Sequence, residues 1–222
     1  YTATTGEAQV VALVADGKEV SIAHAGDSVT VITNQTPFYG ESGGQTGDAG
    51  TITGSNGLRL TVSDTAKPLG RLHAHNAVVD AGKLEVGDMV RLDIDVARRD
   101  ATRANHSATH LLHQALRNRL GAHVTQKGSM VSADRLRFDF SQPVGLTAED
   151  IAVVEAEVNA EIRANDPVVT RLMSPEDAIE AGAMALFGEK YGDEVRVLSM
   201  GSSSSGQTYS TELCGGTHVR AL

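Results

Sequence analysis

Two short motifs far apart in the chain each contain two side chains that can bind a metal ion. His106 and His110 are four positions apart, and Cys214 and His218 have the same spacing. Histidines four apart share one face of a helix and can therefore bind one ion together. A thiolate and a third imidazole would complete a tetrahedral zinc site. We call these four residues the His–Cys cluster, and we expect the fold to bring them together around zinc.

The alternative is that these are ordinary surface or core histidines, because histidines at this spacing arise by chance in many helices. On a helical wheel, however, the apolar residues Leu111 and Ala115 share one face and the histidines, including His113, share the opposite face. The histidines therefore form a polar stripe that faces either solvent or a site. The only cysteine of the chain, Cys214, lies in the second motif, and this strengthens the metal interpretation.

The residue after the first histidine narrows the class of metal site. Zinc metalloproteases with this histidine spacing need a glutamate there as general base, and this chain has Ser107. The protease interpretation therefore fails. A cysteine ligand also favours zinc over magnesium or calcium, which bind oxygen ligands.

Composition sets further limits on the function. The 222 residues are 41% hydrophobic and carry a net charge of −9, so the chain is not expected to grip a long duplex by neutralising its phosphates. It could still bind the short single-stranded end of an RNA. One cysteine excludes an internal disulfide and suits a reducing compartment. Without a long apolar run or a signal peptide, we expect a cytoplasmic protein with no membrane segment. Because it begins with Tyr1, we expect a piece of a longer protein.

The pattern predicts an α+β protein of two domains. Residues 1–95 contain short β-rich runs separated by turn signals, which predicts a small N-terminal β-barrel domain. The predicted strands are residues 9–14, 29–32, 58–62, 72–79 and 90–95. Residues 96–222 are predicted to form a zinc-binding α+β domain.

In this second domain the first helix, at about residues 98–120, carries the histidines. A hairpin at 131–140 and a second helix opened by a capping box at Thr147 follow. The sequence then predicts a strand at 168–173, a short helix after Ser174, a strand at 195–198 and a polar loop at 202–206.

Residues 36–48, which we call the glycine loop, form the second unusual segment. They contain Gly43, Gly44, Gln45 and Thr46. The loop lacks the lysine and the strand-to-helix context of a phosphate-binding loop. It is either a long barrel connection with turn glycines, or a loop that lets a ligand approach closely, with Gln45 and Thr46 as hydrogen-bonding arms.

Six strings resemble the editing domain of bacterial alanyl-tRNA synthetase, in order and over essentially the whole chain. They are residues 36–45, 105–113, 126–129, 137–140, 182–191 and 212–218. The last string is specific to that synthetase and its free-standing trans-editing relatives. The editing domain of threonyl-tRNA synthetase shares the histidine and cysteine spacing but differs around the cysteine.

The resemblance implies hydrolysis of Ser-tRNA(Ala) and Gly-tRNA(Ala), with Ala-tRNA(Ala) spared. It also implies that the His–Cys cluster binds zinc, that Gln126 and Thr109 shape the editing pocket, and that the glycine loop lies near it. Partners would be the acceptor end of tRNA(Ala) and the other domains of the full-length synthetase, which alone would bind ATP.

The chemistry explains why such residues are needed. A pocket made for a methyl group cannot strongly reject the extra hydroxyl of serine, so a second site must recognise that hydroxyl. We expect Thr109 or Gln126, together with Thr46, to contact it, although Thr109 could instead bond its own backbone and Gln126 could be structural. His113 is a candidate substrate-binding residue or base, or else a solvated histidine. Four protein ligands would fill a tetrahedral zinc shell, and sites closed in this way are usually structural. The ligand set therefore leaves both a catalytic and a structural ion open. A tRNA-binding module without catalysis and a free-standing trans-editing enzyme are the competing interpretations.

Overall fold

The structure is a computed structural model, and it describes residues 2–184, 193–202 and 208–222. Residues 203–206 of the predicted polar loop and residues 185–191 of one resemblance string lie outside the described residues. The chain divides into two compact units, Tyr1–Ala101 (unit 1) and Thr102–Leu222 (unit 2).

Unit 1 is built from short antiparallel strands. They are β1 (Thr5–Ala15), β2 (Lys18–Val20), β3 (Ile22–His24), β4 (Ser28–Thr33), β5 (Gly50–Gly54), β6 (Arg59–Ala66), β7 (Ala74–Ala81), β8 (Lys83–Glu85) and β9 (Met89–Ile94).

Six of these strands close into a barrel in the order β1, β4, β7, β6, β5, β9, and β9 pairs back with β1. The first half of β1 pairs with β9 and its second half with β4, and the register shifts between Val10 and Ala12. Such a bulge bends a strand so that it can pair on both sides of a closed sheet. The predicted small barrel is confirmed.

The barrel core follows the alternation of its strands. Leu13, Val31, Ile52, Leu60 and Leu92 are completely buried and belong to one cluster. Each such side chain contributes about 1.5–3 kcal/mol when it leaves water, so the barrel interior supplies the stability of unit 1.

Four strands of unit 1 were not predicted. β2, β3 and β8 have three residues each, too few to show a period of two. β5 is bounded by glycines, and a side chain at Gly50 would collide with the carbonyl group of Asp93 on the paired strand β9. A glycine inside a strand weakens the sequence signal, although here the close approach of two backbones requires it.

The helix α1 (Val96–Leu120) starts two residues earlier than predicted. The side chain of Asp95 accepts a hydrogen bond of 3.0 Å from the backbone N–H of Arg98, which caps the helix. Gly121, with φ of +116°, follows its end and donates to the carbonyl of Arg117 at 2.9 Å. The boundary between the two units falls inside this continuous helix.

In the described part of unit 2, α1 is followed by two helices and two small sheets. Its elements after α1 are β10 (Gln126–Val131), β11 (Leu136–Phe140), α2 (Ala148–Ala164), β12 (Val169–Met173), α3 (Pro175–Glu180), β13 (Val195–Ser202) and β14 (Thr208–Leu213). β10 and β11 form a hairpin, as predicted, and β12, β13 and β14 form an antiparallel sheet. The predicted capping box of α2 is confirmed, because Thr147 and Asp150 each bond the other's backbone N–H.

The strand β14 was missed because the side chains it buries are largely polar. Ser210 and Glu212 are buried together with Leu213, so hydrophobicity does not reveal this strand. Its neighbour β13 contributes Leu198 and Met200, which pack with Leu111 of α1. This contact fixes the middle of α1, where the histidines lie, against the sheet of unit 2.

None of the helices in the described part of the chain combines the length and the apolar character needed to cross a membrane.

Candidate metal centre

The first two histidines of the His–Cys cluster come from the middle of α1. His106 and His110 are 8% and 7% exposed, and their rings stack with centroids 5.3 Å apart. The interpretation of these residues as surface histidines is therefore wrong. The polar stripe of α1 faces the protein interior, where imidazole groups need partners.

The other two residues follow β14 in a turn that is tied back to β13. The backbone N–H of Cys214 donates to the carbonyl of Arg196 at 3.0 Å, and the guanidinium of Arg196 donates to the carbonyl of Gly216. The N–H of Gly216 points at the sulfur of Cys214, with a distance of 3.4 Å. These bonds hold the sulfur in place from the backbone side.

The structure brings all four members of the cluster together, with one donor atom from each lying within 4.8 Å of the others. The sulfur of Cys214 is 3.1 Å from Nε2 of His218 and 3.6 Å from Nε2 of His106. Nε2 of His110 is buried and has no hydrogen-bond partner among the described residues. Leaving such an atom unpaired costs about 1–3 kcal/mol, so this nitrogen calls for a ligand that the protein itself does not supply.

Glu212 supports the cluster without belonging to it, by contacting one of its imidazoles from behind. Its Oε2 lies 2.8 Å from Nδ1 of His110, and its Oε1 lies 2.9 Å from Nδ1 of His113. Both imidazoles donate to this carboxylate, which is only 5% exposed. A carboxylate behind a histidine fixes the ring and the tautomer, and this is the usual support of a metal-binding imidazole.

The charges of the site follow from these contacts. Burial opposes a charge on His110, but the carboxylate of Glu212 raises the pKa of this imidazole to about 10. Burial also opposes a charge on Glu212, yet the facing imidazole of His110 lowers the pKa of the carboxyl to about 2. The two shifts agree on a buried ion pair. Before it can bind a metal, His110 must release a proton.

Cys214 and His218 are already in metal-binding forms. Although burial opposes a thiolate, hydrogen bonds from the imidazoles of His106 and His218 lower the pKa of Cys214 well below its usual value. Burial lowers the pKa of His218 to about 3, so this ring is neutral. Thiolate and neutral imidazole are the forms that coordinate metal ions.

Sequence reasoning missed two supporting residues, Glu212 and Ser107. The hydroxyl of Ser107 is 3.3 Å from Nδ1 of His218 and accepts the backbone N–H of Val219 at 3.3 Å. Both residues stand inside the two motifs, next to or two positions from a cluster member. The sequence signal for each of them was a polar residue at a position where the periodicity of the helix or strand predicts a buried side chain.

The donor set fits zinc better than a hard cation. Three imidazole nitrogens and one thiolate form the mixed nitrogen and sulfur shell typical of tetrahedral zinc sites. The Nε2 of His110, which has no hydrogen-bond partner among the described residues, and the carboxylate behind the ring agree with this use.

Two residues predicted to contact the substrate, Thr109 and Gln126, belong to unit 2, and Thr109 is the neighbour of His110 in α1. Thr109 is 5% exposed, and its hydroxyl donates to the carbonyl of Asn105 at 2.8 Å. The alternative role predicted for Thr109, a hydrogen bond to the backbone of its own helix, is therefore present. Its side chain, however, is buried rather than on the helix surface. Gln126, at the start of β10, is partly buried and its amide is 3.3 Å from the hydroxyl of Ser129.

His113 is not a solvated histidine. It is 4% exposed, it donates to Glu212, and its ring lies 5.1 Å from that of Phe138 in β11. Its Nε2 is buried and, like that of His110, has no hydrogen-bond partner among the described residues.

The glycine loop belongs to unit 1. Ser42 and Gln45 exchange two backbone hydrogen bonds, of 3.0 and 3.2 Å, across Gly43 and Gly44. Both glycines have positive φ, +58° and +85°, as a tight two-residue hairpin turn requires. A side chain at Gly43 would meet nothing within 4 Å, so backbone conformation explains this glycine. Gln45 is completely buried and Thr46 is half-buried.

Buried polar contacts fix both arms of the glycine loop within unit 1. Asp48 accepts hydrogen bonds from the guanidinium of Arg99, at 2.8 Å for Nε, and from the backbone N–H of Tyr39 at 2.6 Å. The hydroxyl of Thr36 lies 2.8 Å from Nε2 of His75, whose Nδ1 donates to the carbonyl of Val31 at 2.8 Å. The loop is thus a barrel connection that buried polar contacts tie to the rest of unit 1.

Comparison with known proteins agrees with these observations. The family described as tRNA synthetases class II (A) matches residues 1–98. Over its whole length the chain is 69% identical to the alanine–tRNA ligase of Sphingopyxis alaskensis and covers 25% of that protein. It is 65% identical to the alanine–tRNA ligase of Rhizorhabdus wittichii, again covering 25% of it. The alanine–tRNA ligase of Granulibacter bethesdensis is 60% identical over 99% of the chain. The chain spans about a quarter of the length of these curated relatives, and over its whole length it matches one segment of alanine–tRNA ligases.

Proposed function

We propose that this chain is the editing segment of an alanine–tRNA ligase and hydrolyses serine or glycine esters at the acceptor end of tRNA(Ala). The observation that carries the proposal is the His–Cys cluster, whose donor atoms lie within 4.8 Å of one another, with the buried Thr109 next to His110 in α1. In this assignment residues 1–95 form the barrel domain with the glycine loop, and residues 96–222 form the editing domain.

The His–Cys cluster would hold zinc. A zinc ion at this place supplies a positive charge that can polarise an ester carbonyl or favour ionisation of water. The protein's own part is to hold the donors: Glu212 orients His110, and Ser107 contacts His218.

Selection of serine over alanine would rest on polar groups of the chain. The hydroxyl of Thr109 uses its proton for the carbonyl of Asn105, so its oxygen can still accept the hydrogen bond of a seryl hydroxyl. The amide of Gln126 offers a further partner. An alanyl ester would leave such groups unpaired, at about 1–3 kcal/mol for each group, which supports sparing of the correct product.

The partners in this proposal are the acceptor end of tRNA(Ala) and other parts of a full-length ligase. A chain with net charge −9 gains little from general attraction to phosphates, so neighbouring domains would contribute much of the affinity for tRNA. The proposed location is the cytoplasm, where a free thiol stays reduced.

One observation favours a second candidate. Four protein donors close a tetrahedral shell, and closed shells are typical of structural zinc. The ion would then only fix the pocket, or the chain would be a zinc-stabilised tRNA-binding module without catalysis. The same deacylation on a free-standing chain is the trans-editing variant of the main proposal.

Deacylation assays test the proposal. Ser-tRNA(Ala) and Ala-tRNA(Ala) are incubated with the chain as purified, after zinc removal and after zinc is restored. We expect fast release of serine, little release of alanine, and loss of serine release without zinc. Equal rates for both esters would contradict editing.

If a folded, zinc-loaded chain binds tRNA(Ala) without releasing serine, the binding-module candidate replaces the editing proposal. Circular dichroism on the zinc-free chain separates the roles of the ion. Lost activity with retained fold favours a role in the reaction, and joint loss of both favours a structural ion.

A further inference from the structure

Glu212 connects one member of the His–Cys cluster to a histidine outside it. Its two carboxylate oxygens have separate partners, Nδ1 of His110 at 2.8 Å and Nδ1 of His113 at 2.9 Å. All three side chains are at least nine-tenths buried. A carboxylate with one imidazole on each oxygen holds both rings at fixed orientations, since neither can rotate without losing a charge-assisted hydrogen bond.

These bonds also decide where the protons lie. An ionised carboxylate only accepts, so the Nδ1 atoms of both rings must carry a proton. In each neutral ring Nε2 is then a bare lone pair. Among the described residues, Nε2 of His110 and Nε2 of His113 are buried without a hydrogen-bond partner, and the two rings thus share one pattern.

The two lone pairs have different surroundings. Nε2 of His110 lies with the donor atoms of the cluster. His113 stands outside that group, and its ring lies beside Phe138 in the hairpin β10–β11, the hairpin that also carries Gln126. A buried acceptor without a partner calls for a donor from outside the protein, either a held water or an O–H group of a ligand.

We propose that Glu212 is a positioning residue for both rings, and that His113 presents Nε2 as an acceptor for an O–H donor of the reaction, a water or a substrate hydroxyl. The role of His113 rests on the function proposed above, whereas the positioning by Glu212 concerns metal binding and ring tautomers alone. The carboxylate thereby orients the metal ligand and the acceptor together.

The tautomers can be tested on the unaltered chain. Nitrogen-15 NMR of the zinc-loaded protein separates imidazoles protonated at Nδ1 from those protonated at Nε2. We expect the Nδ1–H form for both His110 and His113. An Nε2–H form at either ring would overturn the proposal, and this measurement needs no variant to fold.

Two variants separate the roles. Glu212→Gln keeps the shape, but its amide has a single oxygen to accept from two rings, so we expect zinc affinity, measured by chelator competition, to fall about 10- to 100-fold. Glu212→Asp should recover part of this loss, because it restores a carboxylate. Unchanged zinc affinity and unchanged tautomers in Glu212→Gln would refute the positioning role.

His113→Gln should leave zinc affinity and the tautomer of His110 unchanged while lowering kcat/KM for Ser-tRNA(Ala) about tenfold or more. A fall in kcat alone identifies water as the donor, and a rise in KM identifies a substrate hydroxyl. Unchanged kinetics, or a loss of zinc as large as that in Glu212→Gln, would refute this role. Exposed Glu155→Gln and His123→Gln are the matched controls.

The two proposals fail in different ways. If the unaltered chain releases no serine but Glu212→Gln still weakens zinc binding and shifts the tautomers, the editing function and the role of His113 are wrong and the positioning role stands. If the chain edits but Glu212→Gln changes neither zinc affinity nor tautomers, only the positioning role is wrong.

Discussion

The sulfur of Cys214 lies 3.6 Å from Nε2 of His106, although 108 residues separate the two along the chain. The helix α1 brings one atom and the turn after β14 brings the other. The metal-binding capacity of the chain therefore depends on the packing of α1 against the sheet of unit 2, as well as on the donors themselves.

Replacing Cys214 by alanine should remove the thiolate and weaken zinc binding by more than about 100-fold, the upper range for loss of a supporting residue. Ser107→Ala, which removes only a contact to His218, should weaken it about tenfold. Chelator competition measures both, and circular dichroism checks the fold. Full zinc occupancy in Cys214→Ala would show that the sulfur is not a ligand.

Replacing Thr109 by valine keeps the shape of the side chain but removes its hydroxyl. If this oxygen accepts from the seryl hydroxyl, hydrolysis of Ser-tRNA(Ala) should slow about 5- to 150-fold, equivalent to the roughly 1–3 kcal/mol of a lost partner. Hydrolysis of Ala-tRNA(Ala) should change little, so the ratio of the two rates narrows. Exposed Thr170→Val serves as the control. An unchanged ratio would assign serine recognition to other groups, Gln126 first.

The buried imidazole of His75 should make the barrel sensitive to mild acid. Burial lowers its pKa to about 4, whereas the unfolded value is about 6.5. Above pH 6.5 both states are neutral and nothing is lost. As the pH falls from 6.5 to 4 only the unfolded state binds the proton, so stability falls by about 3 kcal/mol in total.

Urea unfolding followed at several pH values between 7 and 4 measures this loss. His75→Gln can still donate to Val31 and accept from Thr36 but does not titrate, so its stability should depend less on pH. Exposed His24→Gln should behave like the unaltered chain. A pH dependence that survives in His75→Gln would contradict the assignment.

Asp48 and Arg99 form a buried ion pair, with side chains 7% and 0% exposed. Asp48→Asn should destabilise unit 1 by about 3–5 kcal/mol, because it leaves a buried guanidinium without its counter-charge. Replacing both residues by leucine should cost less than this single change. Chemical denaturation provides the comparison, and Glu85→Gln in an exposed pair with Lys83 should have no measurable effect. If Asp48→Asn is as stable as the unaltered chain, the pair does not hold the glycine loop.

Elements with a strong local pattern could be predicted from the sequence. The capping residues Thr147 and Ser174 predicted the starts of α2 and α3, and the long periodic segment around His106 predicted α1. Evenly spaced short β-rich runs predicted the barrel. Strands β2, β3 and β8 could not be predicted, because three residues are too few to show a period of two. Strand β14 could not be predicted because the side chains it buries include Ser210 and Glu212.

The candidate site divides in the same way. The spacing of the two pairs, together with the single cysteine of the chain in one of them, pointed to the His–Cys cluster. The contacts of Glu212 with His113, and of Ser107 with His218, join residues about a hundred positions apart. Such pairs depend on tertiary packing, and a single sequence does not contain that information.

Binding of one ion by both His106 and Cys214 would also set an order of events during synthesis of the polypeptide. Because 108 residues separate these ligands, an ion bound by both would close a very long loop, and in the chain-entropy account a cross-link over about 100 residues restricts the unfolded chain by about 4.7 kcal/mol. During synthesis on the ribosome, α1 emerges long before the turn that carries the cysteine. Metal uptake would therefore be a late step. In zinc-starved cells, newly made chains would lack this constraint and would be degraded more easily.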